Sequence, residues 1–478
     1  MITFILSLLA LILGYVIYGR FVEKVFGIDE NRSTPCTTRA DGVDYVQIPE
    51  KKAMLIQLLN IAGLGPIFGP ILGALWGPVA FVWIVIGAIF AGAVHDYFSG
   101  MLSIRNNGAS LPKIVEKYLG SFMGKFVNGF ALLLLVLVGV VFVAGPAGLL
   151  AALTPAWMTV GVWSAIIFVY YILATLLPID KIIGRFYPIF GAILLIMAVG
   201  IGGGLIFGNH AIPELTFANM HPKGLPIWPL VFITIACGAI SGFHATQSPM
   251  MARCVANERQ GRRVFYGMMI AEAAIAMVWA AAAMSFFDGS AGLQKALATM
   301  GGPAGVVRNV SISMLGAVGG TLAILGVVVL PITSGDTAFR GARLLIADYL
   351  NMDQAQMVSR LKISVPLFVV GFLISTIDFN FIWRYFSWAN QTTAMIMLWA
   401  AASFLYQEKK LHWIASIPAA FMTAVSMTYI LQAPEGFGLP TKISYPGGLA
   451  ITAVIVITYI RYITNLKPTV DVTSTKSQ

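Results

Sequence analysis

IAGLGPIFGPILGALWGP, the stretch from Ile61 to Pro78, lies inside a long apolar run, yet five glycines and three prolines interrupt it. An apolar run of about 20 residues is expected to cross a bilayer as one helix. Pro66 has no N–H for the carbonyl of Ala62, and Pro70 has none for that of Pro66, so backbone polar groups are freed at membrane depth. Lipid cannot satisfy them. Broken backbone survives there only when buried in protein or lining a wet cavity, which is how secondary transporters build sites for substrates and ions.

The rest of the chain agrees with a membrane setting. Of 478 residues, 58% are apolar and only 10% are charged, with a mean hydropathy of +0.84. Soluble domains carry about 25% charged residues, so the composition describes a polytopic all-α membrane protein. The formal charge of +10 is spread over connections between apolar runs and does not form a nucleic-acid-binding patch. Cys36, Cys237 and Cys254 show no C-x-x-C spacing and no evident pairing. The first twenty residues lack a basic leader and a small-residue cleavage site, which predicts a retained helix.

Hydropathy predicts about 13 spans, near 2–18, 54–75, 79–99, 126–150, 159–177, 187–207, 228–252, 264–287, 310–339, 363–377, 381–405, 412–432 and 446–460. Connections on one side then hold 25 Lys and Arg, and those on the other hold five: Lys223, Lys295, Arg308, Arg384 and Lys442. By the positive-inside rule the N-terminus is expected outside and the C-terminus in the cytoplasm.

A second anomalous span contains CGAISGFHATQSPMMAR, Cys237 to Arg253. Gly238, Gly242 and Pro249 interrupt it, and Ser241, His244, Thr246, Gln247 and Ser248 make it polar where polarity is costly. The first broken span begins in the cytoplasm and this one begins outside. Two sets of five spans, each opening with a broken helix, thus run in opposite senses, an inverted-repeat transporter plan. The expected organisation is residues 1–53 as a first helix and cytoplasmic connection, and 54–207 as the first repeat. An external connection follows at 208–227, then the second repeat at 228–405 and two peripheral helices with a cytoplasmic tail at 406–478.

Five motifs carry a family resemblance: DGVDYV (41–46), IAGLGPIFGP (61–70), AGAVHDYFSGMLSIRNNGASL (91–111), CGAISGFHATQSP (237–249) and LPITSGDTAFRGARLLIADYL (330–350). Together they resemble the carbon starvation protein A family over most of the chain. The resemblance implies a bacterial inner-membrane uptake system for peptides, with some similar members taking pyruvate with protons, and a leucine-transporter-like core. The chain departs from longer members in two ways. It has Ile56 and Gln57 where they carry a histidine pair, and it lacks their C-terminal extension.

Candidate substrate-binding residues are Asn60, Gly63 and Gly65 at the first break and Ser241, His244, Gln247 and Ser248 at the second. Gly65, Gly69 and Gly73 recur every four residues, which close helix packing alone would explain, whereas Pro66 and Pro70 ask for compensation by protein or water. His244 is either a proton or ligand group or a satisfied interior histidine, and Asn60 either lines the cavity or bonds a neighbouring helix. For ion coupling the candidates are Asp336, Glu272 and Asp96, with Thr333 and Ser334 as oxygens suited to sodium. Asp336 is equally placed to pair with Arg340 four residues on, and Asp96 to cap or snorkel near an interface. Asn390, Gln391, Thr392 and Thr393 either close the cavity or bond between helices.

No nucleotide-binding loop, H-E-x-x-H motif or covalent-catalysis signature is present, which argues against an ATP-driven pump or an intramembrane metalloprotease. No cofactor and no resident metal are expected, although His95, Asp96 and His244 could meet in space. The reading is therefore a secondary transporter importing short peptides or another small carboxylate such as pyruvate. Protons are the expected coupling ion and Na+ the alternative. Free N–H groups at the start of the second half-helix are expected to face the substrate carboxylate. A channel or an intramembrane enzyme are the rivals from other classes. The sequence expects the lipid bilayer and no nucleic acid as partners, and leaves the oligomeric state open.

Overall fold

The computed structural model describes residues 1–41, 45–176, 180–208, 210–350, 352, 354 and 356–465. Gly42, Val43 and Asp44 of the first family motif, and the C-terminal tail from 466, lie outside the described residues. Among the described residues all regular structure is helical. The main helices are labelled α1 (Ile2–Phe26), α2 (Glu50–Ile61), α3 (Gly65–Gly73), α4 (Val79–Arg105), α5 (Ser121–Leu153), α6 (Val160–Leu176), α7 (Asp180–Phe207) and α8 (Leu230–Thr234). They continue with α9 (Gly242–Ala252), α10 (Glu258–Phe286), α11 (Pro303–Leu350), α12 (Met357–Ser375), α13 (Phe379–Gln407), α14 (Trp413–Gln432) and α15 (Thr441–Asn465).

Every expected span falls on a helix or a broken pair. Nine helices among the described residues are long and apolar enough to cross a membrane, ten if α2 and α3 count as one span bent by 49°. The protein is a multi-pass membrane protein. The other expected spans are α6, α13 and the pair α8 and α9. Hydropathy alone underrates α13, which carries its polar residues in mid-helix, and the interrupted pair of short helices. In α11 the backbone turns out of helical geometry at Gly316 (φ 71°, ψ 178°), inside the span expected at 310–339.

The first break is shorter than Gly63–Pro70. It is confined to residues 62–64, where Ala62 leaves helical geometry at ψ 48°. Pro66 sits in the first turn of α3, where its missing N–H would have had no partner anyway, and Pro70 is carried inside the helix. The second break runs from Ile235 to Ser241 and not to Pro249, which lies within α9. Gly238 at φ +90° makes the turn, in a region that side-chain-bearing residues rarely adopt. A Cβ there would also lie 2.4 Å from that of Ala276.

The glycines at four-residue spacing press α3 onto the second broken span. A Cβ at Gly65 would lie 2.2 Å from Cys237 Cβ, one at Gly69 3.1 Å from the Thr234 carbonyl, and one at Gly73 2.3 Å from the Ile235 side chain. Gly65→Ala is therefore expected to lower stability by about 1–3 kcal/mol through overpacking. Thermal unfolding in detergent checks this. Gly129→Ala, inside α5 where a Cβ meets nothing within 4 Å, is the control expected to cause no loss of stability.

The connections sort to two faces. On one, Glu214 accepts from the backbone N–H and hydroxyl of Thr3, and Trp76 Nε1 at the end of the first broken span donates to the Leu225 carbonyl at 3.0 Å. On the other, Arg105, Glu258, Glu23, Arg262, Glu50 and Arg263 tie the connections after α1, α4 and α9 together. That second face carries the basic connections, so the two broken spans run in opposite senses, as the charge count requires.

Candidate functional site

α9 lies between α4 and α10. Its first turn holds His244, which meets α4 on one side and α10 on the other. Asp96 on α4 holds two imidazoles at once: His95 Nδ1 lies 2.8 Å from Oδ1 and His244 Nδ1 2.8 Å from Oδ2. His244 Nε2 then faces Glu272 Oε2 of α10 at 3.3 Å. All four side chains are fully buried. Among the described residues neither oxygen of Glu272, nor Nε2 of His95 or His244, has a hydrogen-bond partner. An unpaired buried polar group costs about 1–3 kcal/mol, which makes this cluster the strongest candidate for a site. Cys237, His244 and Glu272 also place one possible ligand atom each within 4.8 Å of one another.

The freed backbone groups of both breaks find partners on neighbouring helices. At the second, Asn390 Oδ1 of α13 accepts from the Phe243 N–H at 2.7 Å and from the Ser241 hydroxyl at 3.2 Å. Gln391 Nε2 donates to the Phe232 carbonyl at 2.7 Å, and Trp83 Nε1 to the Ile235 carbonyl at 3.0 Å, closing the exposed end of α8. At the first, the Ser334 hydroxyl donates to the Leu59 carbonyl at 3.3 Å. Gln57 Nε2 donates to Ser248 Oγ at 3.3 Å and joins the inner halves of the two broken spans.

The sequence candidates divide accordingly. Asp96, His244 and Glu272 come together, and Asp96 is deep in the protein, not at an interface. Ser241 and Ser248 join the two supporting networks. Gln247 is buried beside them, with Nε2 on Thr246 Oγ1 and Oε1 unpartnered. Asn60 is buried two residues before the first break. Gly63 is filled by Phe142, whose ring lies 2.4 Å from where a Cβ would be. Asp336 stands apart: it pairs with Arg340 Nη2 at 3.4 Å, as the four-residue spacing allows. Thr333 donates back to the Leu330 carbonyl of its own helix, so of the hydroxyl pair only Ser334 reaches the first break. Of the N–H groups expected to be free at the start of the second half-helix, two are taken in α9. Asn390 takes the Phe243 N–H, and the Ser241 carbonyl takes that of His244 at 3.2 Å.

Three members of the site carried little weight in the sequence. His95 precedes Asp96 inside an apolar span, and that adjacent His-Asp pair is itself a signal. Cys237 looked uninformative, and Asn390 was one of four polar residues with no way to choose among them.

The family model described as carbon starvation protein CstA matches residues 1–162 and 151–311, a region that contains His95, Asp96, His244 and Glu272. The chain belongs to this family. A membrane protein of Haemophilus influenzae is 50% identical over 62% of this chain and 94% of its own length. The peptide transporter CstA of Campylobacter jejuni is 29% identical over 56% of this chain and 47% of its own, and the pyruvate/proton symporter BtsT of Escherichia coli 28% identical over 56% and 46%. The chain thus spans about half the length of these two named relatives. Among solved structures, a mutant of the Eremococcus coleocola manganese transporter superposes with a TM-score of 0.54 at 13% identity, over 89% of this chain and 97% of that one. That likeness concerns the fold alone.

Proposed function

We propose that this chain is a proton-coupled secondary transporter that imports short peptides, or a small carboxylate such as pyruvate, by alternating access. The observation that carries the reading is the buried chain His95–Asp96–His244–Glu272, which links α4, the inner half of the second broken span and α10. A proton needs one site whose occupancy alters the contacts between moving elements. Adding or removing a proton at the His244–Glu272 contact changes the attraction that holds α9 to α10, so occupancy and conformation are linked. The names of two relatives, a peptide transporter and a pyruvate/proton symporter, support the substrate classes.

In this reading residues 54–207 and 228–405 are the two repeats, and the basic face lies in the cytoplasm of a bacterial inner membrane, with the N-terminus outside. Substrate binds between the breaks, where Asn60, Gln247, Ser241 and Ser248 offer polar groups, while Gly63 and Gly65 let Phe142 and Cys237 pack against the first break. Ser334 and the Leu59 carbonyl are the place for a sodium ion if coupling runs on Na+.

Uptake by purified protein in liposomes tests the proposal, with a dipeptide, a tripeptide and pyruvate each offered under separate proton and sodium gradients. An inward proton gradient is expected to drive saturable accumulation of at least one of them. Accumulation driven by sodium at equal pH on both sides would move coupling to Ser334. Saturable uptake of a divalent cation in place of all three would reassign the cluster, and non-saturating flux without counterflow would make the protein a channel.

A further inference from the structure

Asn390 is fully buried on α13, 149 residues from Ser241 in sequence. Its side chain is nonetheless the densest polar contact at the second break. Oδ1 accepts from the Phe243 N–H, and Nδ2 donates to Ser241 Oγ at 3.0 Å and lies 3.7 Å from Cys237 Sγ. Ser241 Oγ in turn receives the Cys237 thiol at 3.4 Å. The backbones approach as closely as glycine permits: a Cβ at Gly242 would lie 2.3 Å from the Asn390 carbonyl oxygen and 2.5 Å from Thr393 Cβ. One amide therefore fixes both the extended residue before α9 and the first turn of α9.

His244 lies in that turn, next to Phe243. The titratable groups that face it are Asp96 from α4, with His95 behind it, Glu272 from α10 and the Cys237 thiol from the break. A ring held at 2.8 Å on one side and 3.3 Å on the other loses both contacts when its backbone moves by about 1 Å, a displacement that elsewhere costs roughly 100-fold in rate.

We propose that Asn390 is the positioning residue of the coupling site: its amide clamps the second break so that His244 stays aligned between Asp96 and Glu272. This inference rests on the proton-coupled reading above. Its role is distinct from that of Gln391, which seals the carbonyl end of α8 on the other side of the break.

The test compares Asn390→Ala and Asn390→Asp in liposomes. Aspartate keeps an acceptor for the Phe243 N–H and the Ser241 hydroxyl, whereas alanine keeps none. For Asn390→Ala, turnover per folded molecule is expected to fall by about 100-fold, with half-saturation by substrate little changed and fewer protons moved per substrate. Asn390→Asp is expected to recover most of the turnover. Loss of folded protein in proportion to lost uptake, with an unchanged proton-to-substrate ratio, would overturn the proposal. A second measurement does not need transport. With Cys36 and Cys254 replaced by serine, alkylation of Cys237 by a membrane-permeant thiol reagent is expected to quicken by about tenfold in Asn390→Ala, as the break opens more often. An unchanged rate would show that Asn390 does not clamp it. If the wild-type protein accumulates nothing on a proton gradient, the coupling reading falls, and the alkylation rate still decides whether Asn390 clamps the break.

Discussion

His244→Ala is expected to abolish proton-driven accumulation while leaving a folded, inserted protein. The ring touches both carboxylates of the cluster, at 2.8 Å to Asp96 and 3.3 Å to Glu272. Removing it separates α4 from α10 electrically and leaves Asp96 with His95 alone. Glu272→Gln is expected to give a milder version, because it keeps the shape and a polar head but loses the exchangeable charge. Asp336→Asn is the informative comparison, since Asp336 pairs with Arg340 on its own helix. Initial rates of uptake under a fixed inward proton gradient, with expression and unfolding temperature measured in parallel, check the series. Wild-type accumulation by His244→Ala would remove the cluster from the mechanism.

Arg105→Ala is expected to have the largest effect on stability, by about 3–5 kcal/mol. Glu258 is fully buried, and Arg105 donates to its two carboxylate oxygens from Nε and Nη2 at 3.0 Å each. The same guanidinium donates to the Gly27 carbonyl and lies 4.0 Å over the Phe26 ring. The Asp29 N–H at 2.8 Å and the half-exposed Arg32 at 3.7 Å are what remain to Glu258 when Arg105 is lost. Most of its charge is then uncompensated in a buried place. Arg105→Leu combined with Glu258→Met removes both charges and is expected to recover most of the loss, because the penalty comes from the orphaned partner more than from the missing bridge. Unfolding in detergent, followed across both variants, separates the two cases. An Arg105→Ala protein as stable as wild type would show that water reaches Glu258.

Both predictions concern groups whose partners lie far off in the chain, and that separation marks what could be read from sequence. The membrane class, the spans and their sidedness pattern, and the two broken helices were all legible, because they depend on properties local to a window: apolar length, lysine and arginine at span ends, glycine and proline inside a run. Local signals also singled out Asp96, His244 and Glu272, since an ionisable residue at membrane depth is anomalous wherever it occurs. What the chain alone did not determine was which of these anomalies meet. Asp96 and His244 are 148 residues apart, and only the packing of α9 between α4 and α10 brings them to 2.8 Å. The same packing leaves Asp336 to Arg340, gives Asn390 the freed N–H of Phe243, and limits the breaks to residues 62–64 and 235–241. A proline or a polar side chain announces that a backbone or a charge needs a partner, but the partner's identity is a matter of three-dimensional proximity. For this protein the sequence determined the plan and its anomalies, and tertiary structure decided the pairing that turns four of them into one site.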